Sequence, residues 1–275
     1  MSDVNTFLSS AFTEQIKRLI LGVEPVDAMR RSRIARPIEL TLDGVPYPTG
    51  TVTKEEFDGT TDPLGYLSSI PRHSSCRHAL VYPPDHASPI AIRLYDRTRR
   101  FVPRRISYAI PDAIETRSST RVRRPALYPG AAYDVSVTAT GMRGRVTWNQ
   151  SDDDEVPARW VRVEAAIDGQ IVGRAHGDDR GEFLLVLRNE AGGLGDLPSP
   201  LVADVTVYGP AGPQTVPDDD PLGDLPLEIV SADPDEVSDG ETPPSGYAAT
   251  AHSSRAVTFE LGTLLTGQDK FFFNA

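Results

Sequence analysis

Cysteine is nearly absent: Cys76 is the only one in 275 residues. No intrachain disulfide can form, and no pair of thiolates is present to build a structural zinc site. Lysine is almost as scarce, at 3 against 25 arginines. GC-rich codon usage explains that ratio as well as any need for forked carboxylate pairing, so no weight is placed on it. Long apolar runs are missing too. Val4, Phe7, Leu8, Phe12, Ile16, Leu19 and Ile20 are separated by polar residues, so neither a signal-peptide core nor a membrane span is expected, and folding in the cytoplasm is.

Catalytic signatures are also lacking. No G-x-S-x-G, Walker A or G-x-G-x-x-G motif occurs, and Gly193-Leu194-Gly195 does not open a helix. His73-Ser74-Ser75-Cys76-Arg77-His78 is the one cluster with metal-ligating or thiol-activating residue types. It lacks a fourth ligand, and Arg72 and Arg77 would repel a cation. Asp152-Asp153-Asp154-Glu155 and Asp218-Asp219-Asp220 could attract Ca2+ but read as solvated acidic loops, and Asp233-Pro234-Asp235-Glu236 fails the alternating spacing of a calcium loop. No catalytic residue, cofactor site or metal site is assigned, and the expectation is a protein that is not an enzyme.

Turn formers, in contrast, are abundant. The 24 Pro and 22 Gly are spread among short β-branched runs, which favours a β-rich, loop-rich fold over disorder. The net charge of -11 hides a division. Residues 1–124 hold 19 Lys+Arg against 14 Asp+Glu, a balance of +5, while residues 125–275 hold 9 against 25, a balance of -16. Such asymmetry is satisfied within one molecule or between neighbouring subunits, where it favours head-to-tail association.

Apolar positions 4, 7, 8, 11, 12, 16, 19 and 20 fall on one face of a helix that Asp3 or Ser2 would cap and Gly22 would end. Burying that stripe is worth on the order of 10 kcal/mol, so the helix should dock, on its own domain or on another subunit. Alternation at 38–42, 77–82, 90–94 and 106–110 predicts an antiparallel first β-region, with Asp96–Arg100 as a turn. Residues 111–131 read as a linker. A second β-region starts at Tyr133, Val135 and Val137 and closes with 202–208. Residues 216–241 carry ten Asp+Glu, no basic residue and four prolines, the composition of an extended linker. Strand alternation returns at 256–261, before Phe271-Phe272-Phe273 near the chain end. That apolar tail should be anchored, by return to the first β-region or by strand addition to a partner.

Within the second region, Gly144 and Val146, Val161 and Val163, Gly169 and Gly173, and then Asp178, Gly181 and Phe183 follow a recognisable order. The segment 144–208 resembles the carboxypeptidase regulatory-like domain, a transthyretin-like β-sandwich, with Asp178-x-x-Gly181-x-Phe183 as its clearest mark. The resemblance covers about a quarter of the chain and implies fold more than function. Carboxypeptidase activity is not implied, because none of the histidines at 73, 78, 86, 176 and 252 has Glu three residues later. More loosely, the whole layout looks like a structural accessory protein of phage-tail-like contractile injection particles.

The expected architecture is mainly β: two antiparallel β-sandwich-like domains with an N-terminal amphipathic helix and an extended C-terminal arm. Its divisions are a helical arm at 1–33, a first β-domain at 34–125, the regulatory-like sandwich at 126–215, an acidic linker at 216–248 and a strand arm at 249–275. The expected function is structural, as a cap or baseplate component that folds in the cytoplasm and enters a particle. Its partners would be other protein subunits in a homo- or hetero-oligomer, with no nucleic acid. Val4, Phe7, Leu8, Phe12, Ile16 and Leu19, with Phe271, Phe272 and Phe273, are the candidate partner-binding residues. A glycan- or peptide-binding sandwich is the alternative, and a Cys76-dependent enzyme a more distant one. The arginines at 93, 97, 99, 100, 104 and 105 are expected to meet acidic protein, such as a neighbour's acidic linker, in preference to nucleic acid.

Overall fold

The computed structural model describes residues 18–43, 70, 72, 75, 77–82, 89–109, 121–149, 155–188, 199–218, 220–229, 247 and 253–274. Nearly all regular structure in them is β. In chain order the strands begin with β1 (Arg18–Val23), β2 (Val26–Asp27), β3 (Ser32–Arg33), β4 (Glu39–Leu42), β5 (His78–Tyr82) and β6 (Ile90–Tyr95). Next come β7 (Arg104–Tyr108), β8 (Val122–Arg123), β9 (Ala126–Leu127), β10 (Gly141–Asn149), β11 (Glu155–Pro157) and β12 (Arg162–Ile167). The last are β13 (Gln170–His176), β14 (Glu182–Val186), β15 (Leu201–Tyr208), β16 (Leu227–Ile229), β17 (Ser253–Phe259) and β18 (Leu264–Asn274).

Five sheets form. Strands of the first half, joined by β9 and β16 from the second, build β16-β7-β6-β4, β5-β1-β8 and β3-β2-β9. The second half builds β13-β12-β15-β17, and a sheet in which β10 carries β11 and β14 on one path and pairs with β18. Apolar residues of these last two sheets meet in one core that includes Trp148, Val163, Phe183, Leu185, Val205, Phe259, Phe271 and Phe273. A second core gathers Leu21, Leu40, Ile92, Leu94, Ile106 and Tyr108 from the first half with Leu127 of β9.

The strand β14 belongs to both. Its period of two sends Phe183 and Leu185 into one core and Leu184 and Val186 into the other. A strand buried on both faces must be apolar throughout, as Phe183-Leu184-Leu185-Val186-Leu187 is. The turn before it is fixed by Asp178, whose carboxylate accepts the amides of Arg180 at 2.9 Å and Glu182 at 3.0 Å. Gly181 follows with φ of +71°, and a Cβ there would sit 2.3 Å from the Val146 carbonyl oxygen. The β12–β13 hairpin uses Asp168 and Gly169, both with positive φ, as the twist of paired strands favours.

Several expectations are corrected. Among the described residues no N-terminal amphipathic helix is seen: Arg18–Val23, including Leu19 and Ile20, is a strand, paired with β5 and β8. Leu21 and Val23 alternate into the core, so period two and sheet partners win over the helical spacing. The rest of that predicted helix lies outside the described residues. The sheets are not purely antiparallel, because β1–β8, β2–β9, β7–β16 and β10–β18 are parallel pairs. Tyr133, Val135 and Val137 form no strand. Tyr133 is buried against Phe101 and bonded to Asp27, while Val137 is exposed. Within the region read as a linker, β8 and β9 pair with the N-terminal strands and Leu127 is buried.

Replacing Gly181 by Ala should lower stability by about 2 kcal/mol or more, from the left-handed backbone and the displaced Val146 carbonyl. A urea midpoint unchanged from that of the parent, followed by tryptophan fluorescence, would contradict this account of the turn.

Candidate functional site

Of the candidate partner-binding residues, Val4, Phe7, Leu8, Phe12 and Ile16 lie outside the described residues. Leu19 is in β1, where its backbone pairs with Val81. Near the chain end, β18 runs parallel to β10, with Phe271 opposite Val146 and Phe273 opposite Trp148. Phe271 and Phe273 are core residues, the latter 4.9 Å from the Trp148 ring, and the Arg255 guanidinium covers Phe271 at 4.2 Å. Phe272, on the opposite face, is 43% exposed. The tail thus returns to the second β-region of its own chain, and of the three phenylalanines Phe272 is the one available for contact.

The arginine cluster is largely occupied within the chain. Arg93 donates to Asp43 at 2.7 Å and to Asp220 at 2.5 Å. Arg105 joins it on Asp43 at 2.6 Å. Arg104, itself buried, donates through Nη2 to Glu228 at 2.5 Å and through Nη1 to the Ala126 carbonyl. Arg162 from β12 reaches the other oxygen of Glu228 at 2.7 Å. Arg159 forks onto Asp224 at 2.5 and 3.0 Å. Arg97 pairs with Glu39, and Arg99 with Asp179 at 3.2 Å. Asp220, Asp224 and Glu228 all come from the segment whose composition reads as a linker, yet Leu222 and Leu225 there are buried and Leu227–Ile229 extends a sheet beside β7.

Burial raises the Asp43 pKa, but the hydrogen bonds from Arg105 and Arg93 outweigh it and hold the carboxyl below its ordinary value. Arg93 is held above its own by Asp220 and Asp43, against the opposing effect of burial. Glu24 behaves like Asp43: burial is overcome by Arg77 and Arg124, and the pKa falls.

Beside this network is a cleft of about 230 Å³. Tyr95, Phe101 and Val102 wall it on one side, Asp178, Asp179 and Trp160 on another, and Leu222 closes it. It is smaller than most ligand pockets, at about 300–1,000 Å³, and has room for a side chain more than for a cofactor. Trp160 has φ of +60°, a conformation costing about 1–3 kcal/mol in a bulky residue. Surrounding bonds hold it there. Its amide donates to the Asp178 carbonyl, and its own carbonyl accepts Tyr247 Oη at 2.9 Å and Arg162 Nη1 at 2.8 Å. The Arg159 guanidinium lies 5.0 Å over the ring, and the indole N–H is buried with no acceptor. The Tyr247 hydroxyl is pushed well above its usual pKa by burial, so it stays a donor.

The carboxylates of Asp96 and Asp178 are engaged by backbone amides. Asp96 accepts the amides of Thr98, Arg100 and Phe101, and Asp178 those of its own turn. Their role is to hold loops. His73 and Cys76 lie outside the described residues. His78 is buried and bonded through Nδ1 to the Ile70 carbonyl, and burial together with Arg72 outweighs that bond and lowers its pKa. Among the described residues, no group of three His, Cys, Asp or Glu side chains converges as metal ligands would. No helix there is long and apolar enough to cross a membrane.

Sequence reasoning missed Trp160, Glu228 and Tyr247. Nothing local marks them, because Glu228 is gripped by arginines 66 and 124 positions away and Tyr247 bonds Trp160 across 87. Comparison with known proteins adds no relative: no family model, curated protein or solved structure matches the chain.

Glu228→Gln should cost about 3–5 kcal/mol, because Arg104 and Arg162 would stay buried without their counter-charge. Loss of less than about 1 kcal/mol in denaturant titrations, within the range of an exposed pair, would show that water reaches these arginines. The lowered pKa values of Glu24 and Asp43 set the sign of the acid response. Their contribution is present above the unfolded carboxylate values near 4 and is lost as pH falls through the lower folded values. Asp43→Asn should therefore reduce stability at pH 7 and flatten its decline toward pH 3. An equal decline in both proteins would assign acid unfolding elsewhere.

Proposed function

We propose that this chain is a non-enzymatic structural protein, a rigid β spacer that works through contacts with other protein subunits. In this reading the two sheets sharing the Trp148–Phe273 core form the regulatory-like β-sandwich. The setting is that of a cap or baseplate component in a phage-tail-like contractile injection particle, a proposal that rests on layout. One observation carries the spacer reading: Arg104 of β7 and Arg162 of β12 grip the two oxygens of Glu228, so the first and second β-regions are clamped through the acidic segment. A buried bridge of that kind suits a part that transmits position.

A binding module is the second reading, favoured by the cleft of Tyr95, Phe101 and Trp160. Aromatic walls and turns locked by Asp96 and Asp178 suit capture of a peptide side chain.

Deleting 262–275 would remove core residues, so surface changes give the cleaner test. In the spacer reading, Phe272→Asp or removal of residues 1–17 should reduce oligomer size or co-purification with particle components, at unchanged circular dichroism. Light scattering and pull-downs identical to those of the parent for both variants would reject it. Saturable binding of a peptide to the full chain, abolished by Trp160→Ala, would favour the module instead.

A further inference from the structure

Glu24 gathers three arginines from three separate parts of the chain. The antiparallel β1–β5 pair sets Val23 opposite His78, which brings Arg77 alongside. The parallel β1–β8 pair sets Val23 beside Arg123, and the Glu24 amide donates to the Arg123 carbonyl, which places Arg124. The β2–β3 pair sets Val26 opposite Arg33. The distances to Glu24 are 3.1 Å from Arg77 Nε, 3.3 Å from Arg124 Nε and 3.5 Å from Arg33 Nη1.

The exposures are lopsided. The Glu24 side chain is 8% exposed, while Arg33, Arg77 and Arg124 are 46%, 55% and 48% exposed. One buried carboxylate thus holds the inner edge of three half-exposed guanidiniums. Arg77 and Arg124 touch it through Nε, so their terminal amino groups make no described bond to it. Among the described residues, three cations on this one anion sum to +2, on a chain whose net charge is -11. Other described arginines are balanced differently: Arg93 and Arg105 share Asp43 and Arg93 has Asp220 as well, and Arg159 pairs with Asp224. A fourth guanidinium, Arg72, donates to the Ala35 carbonyl on adjoining backbone.

We propose that the Glu24-centred arginine triad is a binding site for a phosphoryl dianion, with Glu24 as the residue that positions the three guanidiniums. A phosphate monoester near neutral pH carries close to two negative charges and three acceptor oxygens. That matches the surplus charge and the number of cations. Guanidinium N–H pairs form forked, charge-assisted bonds to such oxygens. The partially buried anchor orients these long side chains beforehand, which reduces the entropy lost on binding. The site is independent of the spacer reading.

Calorimetric titration of the full chain with inorganic phosphate in low-salt chloride buffer is the direct test. Saturable binding is expected. Arg77→Gln and Arg124→Gln should each weaken it by about tenfold, while the urea midpoint hardly moves because exposed pairs contribute little. Absence of saturation at about 10 mM phosphate, weaker than about 3 kcal/mol of binding, would overturn the proposal. So would unchanged affinity in Arg33→Gln/Arg77→Gln/Arg124→Gln. A second arm compares a phosphoserine peptide with the same peptide carrying Glu. Equal affinity for the two would overturn the phosphoryl assignment in favour of a plain carboxylate partner. Preference for the phosphopeptide supports it, and the peptide-to-phosphate affinity ratio identifies the source: a ratio well above one indicates a phosphorylated protein, and a ratio near or below one a free phosphate ligand.

Discussion

Double burial of β14 is the constraint on which the other parts depend. Phe183 and Leu185 complete the core between the two sheets of the second half, and Leu184 and Val186 complete that of the first. Neither core closes without the strand. Its position in turn depends on the tight turn at Gly181, where any side chain would meet the Val146 carbonyl. Asp178 supplies the acceptors that this turn's amides need. A few backbone hydrogen bonds therefore decide whether five apolar side chains face two ways at once.

Charge works on the same scale. The basic first half and the acidic second half meet inside one chain, at Arg93 with Asp220 and Arg104 with Glu228, while Arg162 and Arg159 of the second half add to the same acidic segment through Glu228 and Asp224. Surface pairs of this kind contribute little, but buried ones strongly penalise any state that separates them. The acidic segment gains a place in the fold through its carboxylates as well as through Leu222 and Leu225. Its pairing also holds Trp160 from behind, since Arg162 and Tyr247 both bond the Trp160 carbonyl. The same principle, applied with surplus cation instead of balance, produces the triad on Glu24.

Legibility differed by the range of the interaction. The hairpin at Asp96–Arg100, the strands near 78–82, 90–95 and 201–208, and the Asp178–Phe183 turn are written in neighbouring residues, through period-two alternation and turn chemistry. Leu19 and Ile20 complete the helical spacing of 4–20, whereas strand partners at 78–82 and 122–123 settle the conformation of 18–23. Tyr133 and Val135 alternate like strand residues, yet the Tyr133 hydroxyl is committed to Asp27, 106 positions away. At 220–229 an acidic, proline-rich run finds enough arginines to be anchored, with Leu222, Leu225 and Glu228 buried.

By itself the sequence determined a mainly β protein, the place of its tight turns and a division of charge between its halves. These follow from residues within a few positions of one another. Tertiary structure alone decided which carboxylate meets which arginine, that Phe271 and Phe273 fill their own chain's core, and that Arg33, Arg77 and Arg124 converge on Glu24. Strand pairing sets these distances, and the energy of a charge depends on the burial and neighbours that pairing creates.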